Sequence, residues 1–464
     1  MRRIIIAFVV LVTITGALSA LPFWIGIEVE NTYQRTGQRL NNTALISSID
    51  INFNRGWLHS TANTQIKIRG TDTRVTLVDD ISHGPIPIRR LLQGRFDLTP
   101  ILARVSSRIS ARNREGVDII PAFSAHTVID IDRSGKSRVF AGAFKSFSRS
   151  KDTLESAGFA GTIRFRPGLE RIIGSFAMPS LRLTGVATGV EMEGLETSFD
   201  FHDGISGFSV GDVSVTSRKL IYRATPQDPS PLTATGLAIH AGARDRSDGV
   251  NATLQLGIKN FVAGPSRLGP GLIKIQFNRL NPATLARLRR QLTERKKATD
   301  KIAKTTFSGL DIIRDLGRKS PRISISHFSV GSGREEVQGK GTLMVEGDKI
   351  KPDSGLTTLL YAVNASVTLS LPQSIIPSLV TTQVEFELAT LQALGKIPPL
   401  SVKQTNKILT ASVAARTPGW TEKHFLERRG TNYFMDLTYK EGRLVINGQT
   451  IDSSVAAMYP IPDR

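Results

Sequence analysis

From Ile49 onward the hydrophobic pattern of this chain takes a period of two. Stretches such as "DINFNRGW", "TQIKIRG", "RVTLVDDI", "TIRFRPG", "SLRLTG", "TSFDF", "ATLQLGIK" and "LIKIQF" alternate apolar with polar residues. Each is short and bounded by Gly, Asp, Asn or Pro, which predicts antiparallel strands with one buried face. Their spacing leaves no room for crossover helices and disfavours a parallel α/β fold. A helical period intrudes at three places. Asn281 and Pro282 make an N-cap and first turn, followed by a stripe of Leu285, Leu288 and Leu292. Val384, Leu388 and Leu391 keep helical register within 373–394, which Gly395 and Pro398–Pro399 close, and a weaker helical stretch lies near 401–428. Strands resume at "RISISHFSV" and "VQGKGTLMVE", and the chain ends in a pair, "YFMDLTY" and "RLVING", turned through Lys440-Glu441-Gly442. The expectation is a β-rich α+β protein: a large curved antiparallel sheet with two or three flanking amphipathic helices. Residues 49–280 form its β-rich region, and 281–464 a helix-containing β region that closes the same body. A sheet this wide must curl or split, and its apolar face needs cover.

The first residues follow a different rule. Arg2 and Arg3 precede 24 uncharged residues, Ile4 to Ile27. As a helix these would span about 36 Å, enough to cross the hydrocarbon core. The two arginines hold the N-terminus in the cytoplasm, and Trp24 falls where an interfacial aromatic belongs. Residues 1–27 therefore read as a single-pass transmembrane anchor and 28–48 as a polar, mildly helical stalk. The competing reading is a cleaved signal peptide with "ALS" (17–19) at its processing site, although the apolar run continues beyond it. Either way the body is exported, which disfavours nucleic acid as a partner.

Composition narrows the chemistry. The 464 residues include no cysteine, which excludes disulfides, thiolate metal sites and cysteine nucleophiles. The net charge of +20 attracts polyanions, anionic lipid headgroups among them. It is densest on the helix that starts at Pro282, where Arg287, Arg289, Arg290, Arg295, Lys296 and Lys297 make either a solvated face or a contact with anionic lipid.

Catalytic signatures are weak. Gly56 and Trp57 suit a turn or bulge, with Trp57 covering a sheet end, and His83-Gly84-Pro85 closes a strand in a bend. "GFSVG" (207–211) matches the nucleophile elbow of hydrolases, but Val213 and Val215 continue a strand where a helix is required. The seven histidines never take HExxH or H-x-H spacing; His202-Asp203 reads as a turn, and His327 is expected to share the Ile323/Ile325 face. "GREEVQGKG" lacks Walker A spacing. No catalytic, cofactor-binding or metal-ligating residue is assigned, and the chain is not expected to be an enzyme.

Four segments carry a family resemblance. Asn54-Arg55-Gly56-Trp57 with Ser60, "SHGPIP" (82–87), "SPRISISHFSVGSGREEVQGKGTL" (320–343) and "NYFMDLTYKEGRLVINGQ" (432–449), in this order behind an N-terminal anchor, resemble the YdgA-like bacterial envelope proteins. Leu58 and His59 depart from the pattern, standing where aromatic or small polar residues are more usual. The resemblance implies a bacterial inner-membrane anchor with a periplasmic β-rich body. It makes Gly56, Trp57, His83, Gly84, Pro85, Gly442, Asn447 and Gly448 structural motif residues. No cofactor or catalytic residue follows from it. The leading expectation is a non-enzymatic envelope protein whose apolar sheet face handles lipid or bridges membranes. An assembly protein acting through other envelope proteins or as a homo-oligomer is the alternative, and a periplasmic hydrolase the third.

Overall fold

The computed structural model describes residues 24–35, 37–38, 46–68, 73–85, 100–112, 118–147, 152–185, 188–204, 209–223, 231–263, 266–285, 314–331, 335–351, 356–375, 400–422 and 426–451, with single positions between 377 and 398. It divides into two compact units, Met1–Leu237 with Leu285–Thr305, and Ala238–Thr284 with Thr306–Arg464.

The first unit is an antiparallel meander. Strands β1 (Ile46–Arg55), β2 (His59–Ile68), β3 (Arg74–His83), β4 (Ala103–Arg112), β5 (Asp118–Ile129) and β6 (Gly135–Ala141) pair in chain order. A short hairpin, β7 (Phe144–Phe147) and β8 (Thr153–Ser156), then leaves the sequence of pairings, so that β6 joins β9 (Phe159–Phe165). The ladder continues through β10 (Arg171–Thr184), β11 (Gly189–Asp203) and β12 (Ser209–Arg223), while β8 pairs with the far half of β10. The strands are longer than their punctuation suggests. "VEMEG" and "TSFDF" belong to one strand of 15 residues, which passes through Gly194 at φ 59° without a change of register, a conformation other residues adopt only with strain. His202 and Asp203, expected in a turn, lie inside the same strand opposite Arg171, Val210 and Ser209.

A helix, α1 (residues 24–35), crosses the first strands. Val29 packs with Ala62, Ile81, Ala103 and Val105 in a fully buried cluster, flanked by Ile25, Tyr33 and Phe53. Arg55 reaches Glu30 at 3.0 Å, and Arg133 reaches Glu28 at 3.4 Å. Residues 28–35 thus lie on the sheet, and residues 39–45 lie outside the described ones. So does most of the 4–27 segment. Among the described residues no helix is long and apolar enough to cross a membrane.

The second unit repeats the pattern. Strands β13 (Leu232–Arg246), of which Ala238–Arg246 belong to this unit, and β14 (Gly249–Ile258) form a hairpin, and a small hairpin of β15 (Asn260–Ala263) and β16 (Ser266–Leu268) precedes β17 (Gly271–Leu280), which pairs back onto β14. Then β18 (Arg322–Val330), β19 (Val337–Val345), β20 (Val363–Pro372), β22 (Asn432–Lys440), β23 (Arg443–Ile446) and β24 (Gln449–Ile451) add in turn, with the short β21 (Glu427–Arg429) beside β22. A bulge between Ile325 and Phe328 puts Phe328, not His327, on the Ile323/Ile325 face; His327 pairs with Lys274. Of the helices, α2 (Leu356–Tyr361) brings Leu359 to Ile350 and Ala362, and α3 (Val402–Glu422) packs Ile408, Leu409 and Val413 around Leu371 and Leu426. Asn281 caps the turn at Pro282 through the Ala283 amide, as its sequence predicts. Glu441-Gly442 and Asn447-Gly448 make the two closing turns with positive φ at both positions, the conformation that two-residue hairpin loops require.

Within the first unit one cross-strand pairing recurs. Gly135 faces Phe165, Gly161 faces Phe176, Gly174 faces Phe199, and Gly211 faces Phe201. At Gly135, Gly161 and Gly174 a Cβ would run into the opposed ring, so these rings lie down across the strand that lacks a side chain. Gly161→Val is therefore expected to destabilise the unit by about 1–3 kcal/mol through overpacking against Phe176. Combined with Phe176→Ala it should cost less than the two changes summed; denaturation midpoints of the full chain check both.

Candidate functional site

Residues directly opposite each other in an antiparallel ladder share a face, so the rows of the first unit can be followed from strand to strand. The row nearest the β1–β2 turn runs His83, Ala103, Ile129, Gly135, Phe165, Ile172, Phe201, Gly211. Two rows further on it is Asp79, Ser107, Ala125, Val139, Gly161, Phe176, Thr197, Val215. This face is apolar nearly throughout, yet its cover differs along its width. Beneath α1 it is sealed, with Ile81 and Ala103 wholly inaccessible. From β9 to β11, Phe159, Phe165, Phe176, Met178, Leu195, Phe199 and Phe201 are only half-buried. Phe176 and Phe199 stack at 6.2 Å and Phe199 and Phe201 at 5.6 Å, both within 23° of parallel, and Phe123 meets Phe159 edge-on at 5.2 Å. A cavity of about 200 Å³ opens among Phe159, Phe176, Ala177, Met178, Leu195 and Thr197.

The opposite face has other chemistry. There a depression of about 670 Å³ has a floor of small residues, Ala160, Thr162, Ser175, Ser198 and Thr216 among them, with Arg138 and the exposed Phe140 at one side and Glu196 toward the other. This second face also carries the exposed Ile173, whereas the stacked phenylalanines all lie on the first.

Polar residues interrupt the sealed end, Ser60, Tyr33, Asp79 and His83 among them. Tyr33 of α1 donates its hydroxyl hydrogen bond to Asp79 Oδ2 at 3.1 Å. Burial pushes the Asp79 carboxyl above its ordinary range, while hydrogen bonds from Ser107 and Tyr33 oppose that shift. The Tyr33 phenol is raised by burial first and then by the neighbouring Asp79. His83, 2% exposed, places Nδ1 3.1 Å from the Trp57 carbonyl, and its amide donates to the Leu58 carbonyl at 3.0 Å.

The motif residues Gly56, Trp57, His83, Gly84 and Pro85 are thus brought together at one end of the layer. Trp57 differs from expectation: at 59% exposed it projects from the turn instead of covering the sheet end, because its carbonyl, not its ring, is the part that engages His83. Gly56 has no room for a Cβ beside the His59 carbonyl. Gly442, Asn447 and Gly448 lie apart, in the closing turns of the second unit, where Asp436 and Asn447 exchange two hydrogen bonds of 2.8 Å. Arg287, Arg289, Arg290, Arg295, Lys296, Lys297 and His424 lie outside the described residues. Ser209 of the elbow-like pentapeptide begins β12 and runs into strand, without the helix an elbow needs. Among the described residues no three His, Asp or Glu side chains gather as metal ligands.

A family model, described as a bacterial protein of unknown function (DUF945), matches residues 1–453, and the chain belongs to that family. No curated protein and no solved structure matches the chain.

The Asp79 pair gives a pH-dependent test. Its folded carboxyl titrates above the ordinary value near 3.8. The stability from burying it neutral is therefore full below that ordinary value and is lost as pH rises through the folded one. Asp79→Asn, which stays neutral, is expected to gain stability relative to the native chain as pH is raised from about 4 to 8, and paired denaturation curves across that range check the sign.

Proposed function

Starting from that membership, we propose that the chain is a YdgA-like, non-enzymatic envelope protein that holds acyl chains on the half-buried phenylalanine face of its first unit. In this reading residues 4–27 anchor it in the bacterial inner membrane, with the N-terminus cytoplasmic and the body in the periplasm. The observation that carries the proposal is the unsealed face over β9–β11. Its rings lie flat on glycines and leave a smooth apolar surface with a cavity above it. Half-buried apolar rings gathered beside a cavity suit a ligand, a membrane or a partner. An acyl chain matches a surface that offers no hydrogen-bonding groups apart from Thr197 in its cavity. The cationic run Arg287, Arg289, Arg290, Arg295, Lys296 and Lys297 supplies charge of the sign that phospholipid headgroups require.

A second reading, assembly through self-association or contact with other envelope proteins, is favoured by the second unit. Its apolar face leaves Ile239, Leu256, Leu343 and Val367 each 38–42% exposed. Native mass spectrometry of the full chain, extracted in mild detergent and followed by lipid analysis, separates the two. Phospholipid in fixed stoichiometry, lost on Phe176→Asp with Phe199→Asp, is the expected outcome. A lipid-free species of one defined oligomeric mass would favour assembly and remove the acyl-chain reading.

A further inference from the structure

The end of the first layer where α1 begins collects an unusual set of side chains. Trp24 is 69% exposed, Trp57 59% and Ile131 58%. They come from three separate segments: the start of α1, the β1–β2 turn and the β5–β6 turn. Backbone hydrogen bonds stitch that end together, from His83 to Leu58, Gly84 to Leu102 and Leu102 to Ile129. Arg133 in the β5–β6 turn reaches Glu28 of α1 at 3.4 Å.

The position of α1 fixes what this end faces. Ile25 already packs on the sheet, and Gly26 lies so close that a Cβ there would come within 2.7 Å of the His83 ring. Both residues belong to the 24-residue uncharged run that ends at Ile27. Crossing a bilayer takes about 20 residues, which residues 4–23 supply. No length of chain is then left between the span and its first contact with the sheet.

We infer that the body stands directly on the membrane, with Trp57 and Ile131 inserted beside Trp24 in the interfacial layer of the bilayer that holds the anchor. This rests on the membrane-anchor reading of residues 4–27. Tryptophan suits that layer because its ring is apolar and its N–H can meet carbonyls and water. All three side chains project from one end of the sheet with more than half of their surface accessible, and the geometry of α1 leaves the bilayer as the surface they meet. Among the described residues at this end, Arg55 and Arg133 each engage a glutamate of α1. The contact is therefore carried by insertion of apolar side chains, and it should persist at high salt.

Depth-dependent fluorescence quenching tests this with the full chain in phosphatidylcholine–phosphatidylglycerol vesicles containing spin-labelled lipids. One variant, Trp24→Phe with Trp420→Phe, keeps Trp57 as the reporter; another, Trp57→Phe with Trp420→Phe, keeps Trp24. Both reporters should emit at short wavelength and lose most of their emission to labels placed near the headgroups, with Trp57 unaffected by added salt. Quenching of Trp24 with an unquenched, water-like Trp57 would overturn the inference while leaving the anchor in place. If neither is quenched, the anchor reading itself fails and the inference falls with it.

Discussion

A one-layer meander creates a problem of area before any question of ligand arises. The ten strands β1 to β6 and β9 to β12 lie side by side in the first unit, and at about 4.8 Å per strand they make a face roughly 43 Å across. A helix with its side chains covers only about 10–12 Å. The docking of α1 over β1 to β4 therefore seals a minority of the apolar width, and this mismatch governs the remaining features. Buried clusters concentrate where a helix lies on a sheet, as α1 does in the first unit and α3 in the second. Elsewhere the same alternation produces side chains that are apolar and half-buried.

The Gly–Phe pairs are a response to that shortage of cover. A phenyl ring standing upright from a one-layer sheet would expose most of its surface to water. Laid across a glycine on the neighbouring strand, it hides one side against backbone, and adjacent rings then stack. Each flattened ring loses part of its exposure without needing a second layer. The polar residues under α1 meet a different demand. An apolar helix on an apolar sheet could slide by a turn with little change in buried area. Gly26 against His83, Tyr33 bonded to Asp79, and the two arginine–glutamate pairs at the helix flanks hold in one register only. Breaking the Tyr33–Asp79 pair by such a slide would leave a buried carboxyl with one donor fewer.

Much of this was legible in the sequence, within identifiable limits. Period-two alternation reports many of the strands and which residues share their faces, because that information is local, but β4, β6 and β20 escaped it. The turn through Lys440-Glu441-Gly442 was readable too, since Gly442 admits the positive φ it takes; Asn447-Gly448 was read only as motif residues, although Asn-Gly favours the turn it makes. Strand ends were misjudged where a glycine within a strand looks like a boundary, as at Gly194. His327 was misplaced because a bulge leaves no compositional mark. The Gly–Phe pairs were invisible for a deeper reason. "FAGTIRF", "GSFAM" and "TSFDF" contain the glycines and the rings, but their opposition depends on register between strands. The same holds for Tyr33 and Asp79, 46 positions apart, where neither residue has a motif around it.

The rows of the first layer also connect its two ends. Strand rows on one face repeat every two residues, about 6.7 Å, so the face extends some 20 Å from the His83–Phe201 row to the row of Phe123 and Phe159. That first row is the one nearest Trp57 and the start of α1. If the layer stands on the bilayer as inferred, its apolar face begins at the interface with Phe165 and Phe201 and rises through Phe199 and Phe176. One leaflet of hydrocarbon is about 15 Å deep, so the face is long enough to take up an acyl chain drawn along the strands. A chain on this path would pass from hydrocarbon to phenyl rings at the row that meets the membrane. The sealed cluster under α1 holds that edge in place, and the unsealed rings beside it receive the chain. Both regions share one alternating pattern: a helix covers it in the first, and glycine-backed rings form it in the second.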